Sequence, residues 1–162
     1  MYTHANKLRI AVIPMLAALL LAGCSGPRKA SPAVSQAFES VIPKPASAVP
    51  AGGIFELTSD AQIITDEANK AAAEYLAERL RPATGFALPV VVGDGSESVH
   101  AIVYTTSSDA SLGNEGYELS VADKGVRISA AAPAGAFYGG QTLRQLLPAA
   151  IESGSVQTQP WE

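Results

Sequence analysis

Apolar residues recur with a helical period in two stretches of the chain. In the first stretch, a helix capped by Thr65 or Asp66 is predicted to run to about Arg81, where Pro82 and Gly85 end it. Its apolar face carries Ala72, Leu76, Leu80 and Ala83. The other face is mostly charged, so we expect this helix to pack through one side only.

The second stretch predicts a helix from Ala134 to Leu147, with Pro133 at its first position and Pro148 beyond its end. Gly139 and Gly140 lie in its middle, where each glycine should cost roughly 1 kcal/mol relative to alanine. We therefore expect the helix backbone to pack too close to another surface for any side chain. The polar residues that alternate with its apolar stripe are Gln141, Thr142 and Gln145.

Short alternating or β-branched runs predict the strands. They cover residues 54–58, 61–64, 88–92, 100–104, 116–121 and 126–130. A turn at Asp123-Lys124-Gly125 joins the last two runs into a hairpin, so the sheet must be partly antiparallel. The predicted fold class is α+β, with a mixed sheet of about five or six strands and two helices packed on one face.

The N-terminal segment is typical of a signal peptide. Lys7 and Arg9 precede an apolar run, residues 10–22, that is shorter than the roughly 20 residues needed to span a bilayer. The run leads into Leu21-Ala22-Gly23-Cys24, which resembles a bacterial lipobox. The resemblance implies removal of residues 1–23 and acylation of the Cys24 thiol. The alternative is a plain secretory signal with an incidental cysteine.

Residues 24–40 are predicted to form a flexible tether, because they are rich in Gly, Ser, Pro and Ala without an apolar period. A lipid on Cys24 would make the membrane a partner of the chain and place it in the bacterial cell envelope. By resemblance to envelope lipoproteins, Ser25 is compatible with the outer membrane.

Composition excludes several other partners. The 162 residues carry a formal net charge of −4 and one cysteine. No basic face for nucleic acid is indicated, and a single cysteine provides neither a disulfide framework nor a cysteine-based metal site. We therefore expect no nucleic acid, metal or cofactor.

Two titratable features are not assigned to catalysis. Asp66-Glu67 is an adjacent acidic pair, but it opens a predicted surface helix, where acidic side chains favour the positive end of the helix dipole. Adjacent helical residues also point about 100° apart. His100 is a lone histidine at a strand edge, for which a structural or solvated role is expected.

The second helix and the hairpin before it resemble a known family. The segment Gly135-Ala-Phe-Tyr-Gly-Gly-Gln-Thr-Leu-Arg-Gln-Leu-Leu147 is similar to the helix that closes the small N-terminal domain of the β-N-acetylhexosaminidases of glycoside hydrolase family 20. The preceding Gly116-Tyr-Glu-Leu, a tight turn and Val126-x-Ile also match in order. The resemblance extends over roughly Ile42 to Glu162.

The resemblance implies a supporting domain at residues 41–148 and, at residues 149–162, the start of a linker to a catalytic (β/α)8 barrel that this chain lacks. Family members cleave terminal β-linked N-acetylhexosamine from glycans, with retention, and the sugar's own acetamido oxygen is the nucleophile. Their catalytic Asp and Glu lie on the barrel. We therefore expect no catalytic residue here and no activity from this chain alone.

The helix residues singled out above acquire a predicted role from this resemblance. We expect a domain-docking helix formed by Gly139, Gly140, Gln141, Thr142 and Gln145. Two alternatives remain: a free-standing envelope lipoprotein that acts as a binding module, and the similar domain of another glycosidase such as an α-glucuronidase. An apolar face left uncovered would favour a missing barrel, and a polar, closed surface would favour the module.

Overall fold

The structure is a computed structural model that describes residues 39–49, 53–96 and 98–162. The predicted signal segment, Cys24 and the tether up to residue 38 lie outside the described residues. Within the described part, no helix is long and apolar enough to cross a membrane.

The described residues form five strands and two α-helices in one mixed arrangement. In chain order these are β1 (Gln62–Thr65), α1 (Lys70–Thr84), β2 (Val90–Val92), β3 (Ala101–Thr106), β4 (Tyr117–Ala122), β5 (Gly125–Ala130) and α2 (Pro133–Leu146). Short 3-10 helices occupy Ala110–Leu112 and Ala149–Glu152.

The strands form one sheet in the order β2-β1-β3-β5-β4. β1 pairs in parallel with both β2 and β3, and β3 pairs in parallel with β5. β4 and β5 form an antiparallel hairpin in which Tyr117 lies opposite Ala130. The predicted α+β class and mixed sheet are confirmed.

Both helices pack on the same face of the sheet. The strands contribute Ile63, Ile102, Tyr104, Val126 and Ile128 to one buried cluster. The helices contribute Leu76, Leu80, Ala136 and Leu143 to the same cluster. This shared core is the main apolar contact that holds the two layers together.

The opposite face of the sheet is covered only in part. Ile64, Ala101 and Val103 form a second, smaller buried cluster. The loop after β2 lies over it, and at Gly95, where φ is +62°, an added Cβ would stand 2.6 Å from Val103 Cγ1. In the hairpin strands, the exposed residues of this face are polar: Glu118, Ser120 and Arg127. At the β2 edge, Val91, which pairs with Ile64, is 44% exposed. This face therefore has a small closed cluster and a solvated end.

The predicted strand at residues 54–58 is wrong, although its alternation is real. Phe55 and Leu57 are buried, but the segment is not part of the sheet. Its backbone is held instead by two distant groups: Ile54 N–H donates to Asp123 Oδ1 at 2.6 Å, and Leu57 N–H donates to Trp161 C=O at 2.9 Å. Alternation of apolar and polar residues indicates that one face of a segment is buried. It does not identify the groups that form hydrogen bonds with the backbone of that segment.

The predicted ends of the first helix are also wrong. Helix α1 begins at Lys70 with Asn69 as its cap residue, because residues 66–69 form a turn in which Asp66 Oδ1 accepts the Asn69 N–H at 2.9 Å. Pro82 lies inside the helix, which continues to Thr84. The proline is exposed and stands in the last turn, where the missing N–H affects only the end of the hydrogen-bond ladder.

Candidate functional site

Helix α2 lies directly on the sheet, and two glycines permit the close approach. A Cβ on Gly139 would stand 2.5 Å from Ile128 Cγ2, and one on Gly140 would stand 2.5 Å from the Tyr104 hydroxyl oxygen. Both glycines are buried. The predicted close approach of the backbone is therefore present, and the surface approached belongs to the same domain.

The polar residues of α2 also have partners within the described chain. The Thr142 and Tyr117 hydroxyls are 2.5 Å apart, and Gln141 Oε1 accepts a hydrogen bond from Arg144 at 2.6 Å. Gln145 is exposed and reaches across to the backbone of Ile42. These contacts stabilise the domain internally.

The docking role predicted for this helix stays a prediction. Gly139, Gly140 and Thr142 are buried within the domain, Gln141 is half-buried and Gln145 is exposed. A second domain could therefore contact α2 only through the side chains that reach its surface.

An aromatic cluster that sequence reasoning did not single out lies on the outer surface of the helix pair. The rings of Tyr75 and Phe137 are 5.1 Å apart between centroids, and those of Phe137 and Tyr138 are 5.7 Å apart. Arg79 stands over the Tyr75 ring at 5.0 Å. Tyr138 is 44% exposed. Two signals pointed to this cluster: Tyr75 interrupts the charged face of α1, and Phe137 and Tyr138 are adjacent.

Of the acidic pair Asp66-Glu67, the carboxylate of Asp66 is held by hydrogen bonds within the fold. Asp66 Oδ2 accepts the Thr106 N–H at 2.6 Å, and both carboxylate oxygens accept from Asn69 Nδ2. Desolvation acts to raise the pKa of Asp66, but the hydrogen bonds from Thr106 and Asn69 outweigh it and hold the pKa below its usual value. Glu67 is exposed.

Other titratable groups do not assemble a reactive site in the described ranges. Burial raises the pKa of Tyr104, whose hydroxyl has no hydrogen-bond partner among the described residues. His100 is exposed, and its backbone N–H donates to Lys124 C=O at 2.6 Å. No group of three or more His, Cys, Asp or Glu side chains that could hold a metal occurs in this part of the chain.

The domain matches a known family. The family model described as "Glycosyl hydrolase family 20, domain 2" matches residues 39–159. Because this match covers most of the chain, the chain belongs to glycosyl hydrolase family 20, in which it corresponds to domain 2.

Curated relatives are longer glycosidases. A beta-hexosaminidase from Porphyromonas gingivalis is 35% identical over 117 residues, which are 72% of this chain and 15% of the relative. A lacto-N-biosidase from Bifidobacterium bifidum is 27% identical over 111 residues, or 67% of this chain and 10% of the relative. The chain thus spans a small fraction of the length of these relatives.

Solved structures agree in fold. The family 20 β-N-acetylhexosaminidase from Streptomyces coelicolor A3(2) is 43% identical with a TM-score of 0.68, and the match covers 76% of this chain and 24% of that one. The N-acetyl-β-hexosaminidase from Streptomyces plicatus is 42% identical, with the same TM-score and coverage.

A double-mutant cycle tests the contact between α2 and Tyr104. Gly140→Ala should lower the free energy of unfolding by about 1–3 kcal/mol, because the new methyl group meets the Tyr104 hydroxyl. Tyr104→Phe should be nearly neutral, since it removes a buried hydroxyl without a partner in the described chain. The double variant should recover most of the loss, because Tyr104 Cζ is 3.7 Å from the Cβ position.

Urea unfolding of the four chains measures these differences. Gly154→Ala is the matched control, because no atom lies within 4 Å of its Cβ position. If Gly140→Ala lowers the free energy of unfolding by the same amount in the Tyr104→Phe variant and in the unaltered chain, the Tyr104 hydroxyl is not what excludes a side chain at residue 140.

The role of Asp66 predicts a pH dependence. Its folded pKa is lowered, so its contribution to stability is present above the unfolded pKa of about 3.9 and is lost as the pH falls through the folded value. Asp66→Asn should therefore destabilise the chain at neutral pH and flatten the loss of stability below about pH 4. Glu67→Gln, at the exposed neighbouring position, is the control. Parallel acid profiles for the unaltered chain and Asp66→Asn would contradict the assignment.

Proposed function

We propose that this domain supports a β-N-acetylhexosaminidase whose catalytic barrel lies outside this chain. The observation that carries the proposal is identity of 35% and 43% to hexosaminidases over about three quarters of the chain, together with the hairpin and helix motifs of β4, β5 and α2. The proposed activity is retaining, substrate-assisted hydrolysis of terminal β-linked N-acetylhexosamine, with glycans as partners of the parent enzyme.

The outer surface of the helix pair supports docking against a barrel. Tyr75, Phe137 and Tyr138 form an aromatic surface that is partly exposed, and aromatic residues are enriched in the buried centres of interfaces. The opposite side of the sheet ends in exposed polar residues. Val91 on that side is as exposed as Tyr138, at 44%, so it is the aromatic character of the cluster that favours the helix side for docking.

One observation favours the free-standing module as a second candidate. Both glycines are buried within the domain, and the polar residues of α2 have internal partners. These polar groups of α2 therefore need no second domain as a hydrogen-bonding partner. The aromatic cluster fits either candidate, because a binding module would also present such a surface to its partner.

The substrate of the parent enzyme is a separate question from the role of this domain. Related domains belong to a beta-hexosaminidase and to a lacto-N-biosidase. Two enzymes with different names thus carry a similar domain, which supports a scaffolding role in which the barrel selects the sugar.

Sequencing the coding DNA past the codon for Glu162 tests the first candidate. We expect the frame to continue for about 250 residues or more, as a barrel requires, and to include an adjacent Asp-Glu pair. The longer product should hydrolyse p-nitrophenyl N-acetyl-β-glucosaminide, and the 162-residue chain should not. A stop codon directly after Glu162 would refute the supporting-domain proposal and leave the module.

We also propose that the chain is a lipoprotein of the bacterial outer membrane, anchored through Cys24. The lipobox Leu21-Ala22-Gly23-Cys24 supports this proposal. The predicted tether, residues 24–40, would join this anchor to the folded domain.

Metabolic labelling with an alkynyl fatty acid in a bacterial host tests the anchor. Cys24→Ser should abolish labelling and release the protein from the membrane fraction, because the acylated thiol is removed. Ser25→Ala is the control and should keep the label. Labelling that persists in Cys24→Ser, or an unaltered chain that takes up no label, would contradict lipidation. A density gradient then separates outer from inner membrane.

A further inference from the structure

The outgoing segment (residues 147–161) is anchored to the domain at three places. Ile151 is 2% exposed and joins the main core. Gln157 N–H donates to Ala83 C=O at 2.8 Å, at the end of α1. Trp161 is 2% exposed, and its C=O accepts the N–H of Leu57 at 2.9 Å. A flexible linker has no such buried anchors, so this segment is an integral part of the domain.

One turn of α2 holds the outgoing segment and also the incoming segment (residues 41–42). Arg144 donates to Gln141 Oε1 at 2.6 Å and to Glu152 Oε1 at 2.7 Å. The Arg144 side chain is 16% exposed and that of Glu152 is 58% exposed, so solvent screens this ion pair from the Glu152 side. The next residue, Gln145, accepts the Ile42 N–H at 2.9 Å and donates to the Ile42 C=O at 3.0 Å.

These contacts connect two segments that are far apart in the sequence. Arg144 and Gln145 are neighbours on a helix that is packed against the sheet, so the two segments meet α2 at adjacent residues. Val41, next to Ile42, is 2% exposed, which adds a buried anchor on the incoming side. Movement of either segment requires loss of its polar contact with α2 and also of its buried anchors, which are Val41 on the incoming side and Ile151 and Trp161 on the outgoing side.

We propose that Arg144 and Gln145 are positioning residues that, with Trp161, make this domain a rigid mount between the incoming and outgoing segments. The inference rests on the proposed function and deepens it. In a family 20 enzyme, the rigid mount would fix the outgoing segment relative to the incoming segment. It would thereby set the direction in which the chain leaves this domain toward the barrel. The polar residues of α2 thus act on a neighbouring domain through the backbone of the outgoing segment.

Tryptophan fluorescence of the full chain tests the outgoing side, because Trp161 is its only tryptophan. In the unaltered chain we expect the emission of a buried indole, weak quenching by acrylamide, and an anisotropy decay that follows the tumbling of the domain. Glu152→Gln removes the charge of the ion pair and keeps the size of the side chain. It should raise the acrylamide quenching constant about two- to fivefold and add a fast anisotropy phase.

Glu118→Gln is the matched control, since Glu118 is exposed on the opposite face of the sheet. It should leave the Trp161 signals unchanged. Arg144→Lys, which keeps the charge but loses the planar fork, should give an intermediate increase in quenching. It also serves as the second variant if Glu152→Gln fails to fold by circular dichroism.

Hydrogen exchange of the Ile42 amide, followed by NMR, tests the incoming side. Gln145→Met should speed this exchange, because the acceptor of the Ile42 N–H is removed. Gln159→Met, at an exposed position of the outgoing segment, should not. Equal exchange rates for Ile42 in the unaltered chain and in Gln145→Met would refute the role of Gln145.

A dominant fast anisotropy phase in the unaltered chain would overturn the rigid mount. Folded Glu152→Gln and Arg144→Lys variants that match Glu118→Gln would overturn the role of the ion pair. None of these signals requires glycosidase activity. A mobile Trp161 would therefore refute the mount while leaving the proposed function intact, whereas a missing barrel would refute the function without changing the fluorescence.

Discussion

The close approach of α2 to the sheet is the constraint on which the rest of the domain depends. Gly139 and Gly140 bring the helix backbone against Ile128 and Tyr104, where a Cβ would collide with either side chain. The unfavourable helix propensity of two glycines is offset by the apolar core that both helices then share with the sheet. The position of α2 in turn decides which segments its polar side chains can reach.

Two titratable side chains of the described residues, Asp66 and Tyr104, are directed into the fold. Asp66 joins the end of β1 to the end of β3 through the Thr106 amide, and Asn69 adds a second connection at the start of α1. The Tyr104 hydroxyl is enclosed beneath α2. These polar contacts are made within the domain, whereas the aromatic cluster is partly exposed.

Errors in the prediction from sequence arose where a local pattern was compatible with several partners. Residues 54–58 alternate as a strand does, but their backbone groups bind Asp123 and Trp161, which are distant in the sequence. An acidic residue ahead of an apolar period suggested a cap at Asp66, but its carboxylate forms a turn with Asn69 and holds β3. In both cases, tertiary hydrogen bonds decided the local geometry.

The sequence by itself determined the fold class, the hairpin, helix α2 and the need for a close surface at Gly139 and Gly140, because periodicity, turn chemistry and glycine propensity are local properties. Only the tertiary structure decided which surface the glycines meet and what the polar residues hold. Gln145 and Ile42, for example, are 103 residues apart. No local pattern specifies such a pairing, because it arises only after the sheet and both helices have packed and brought the incoming segment beside α2.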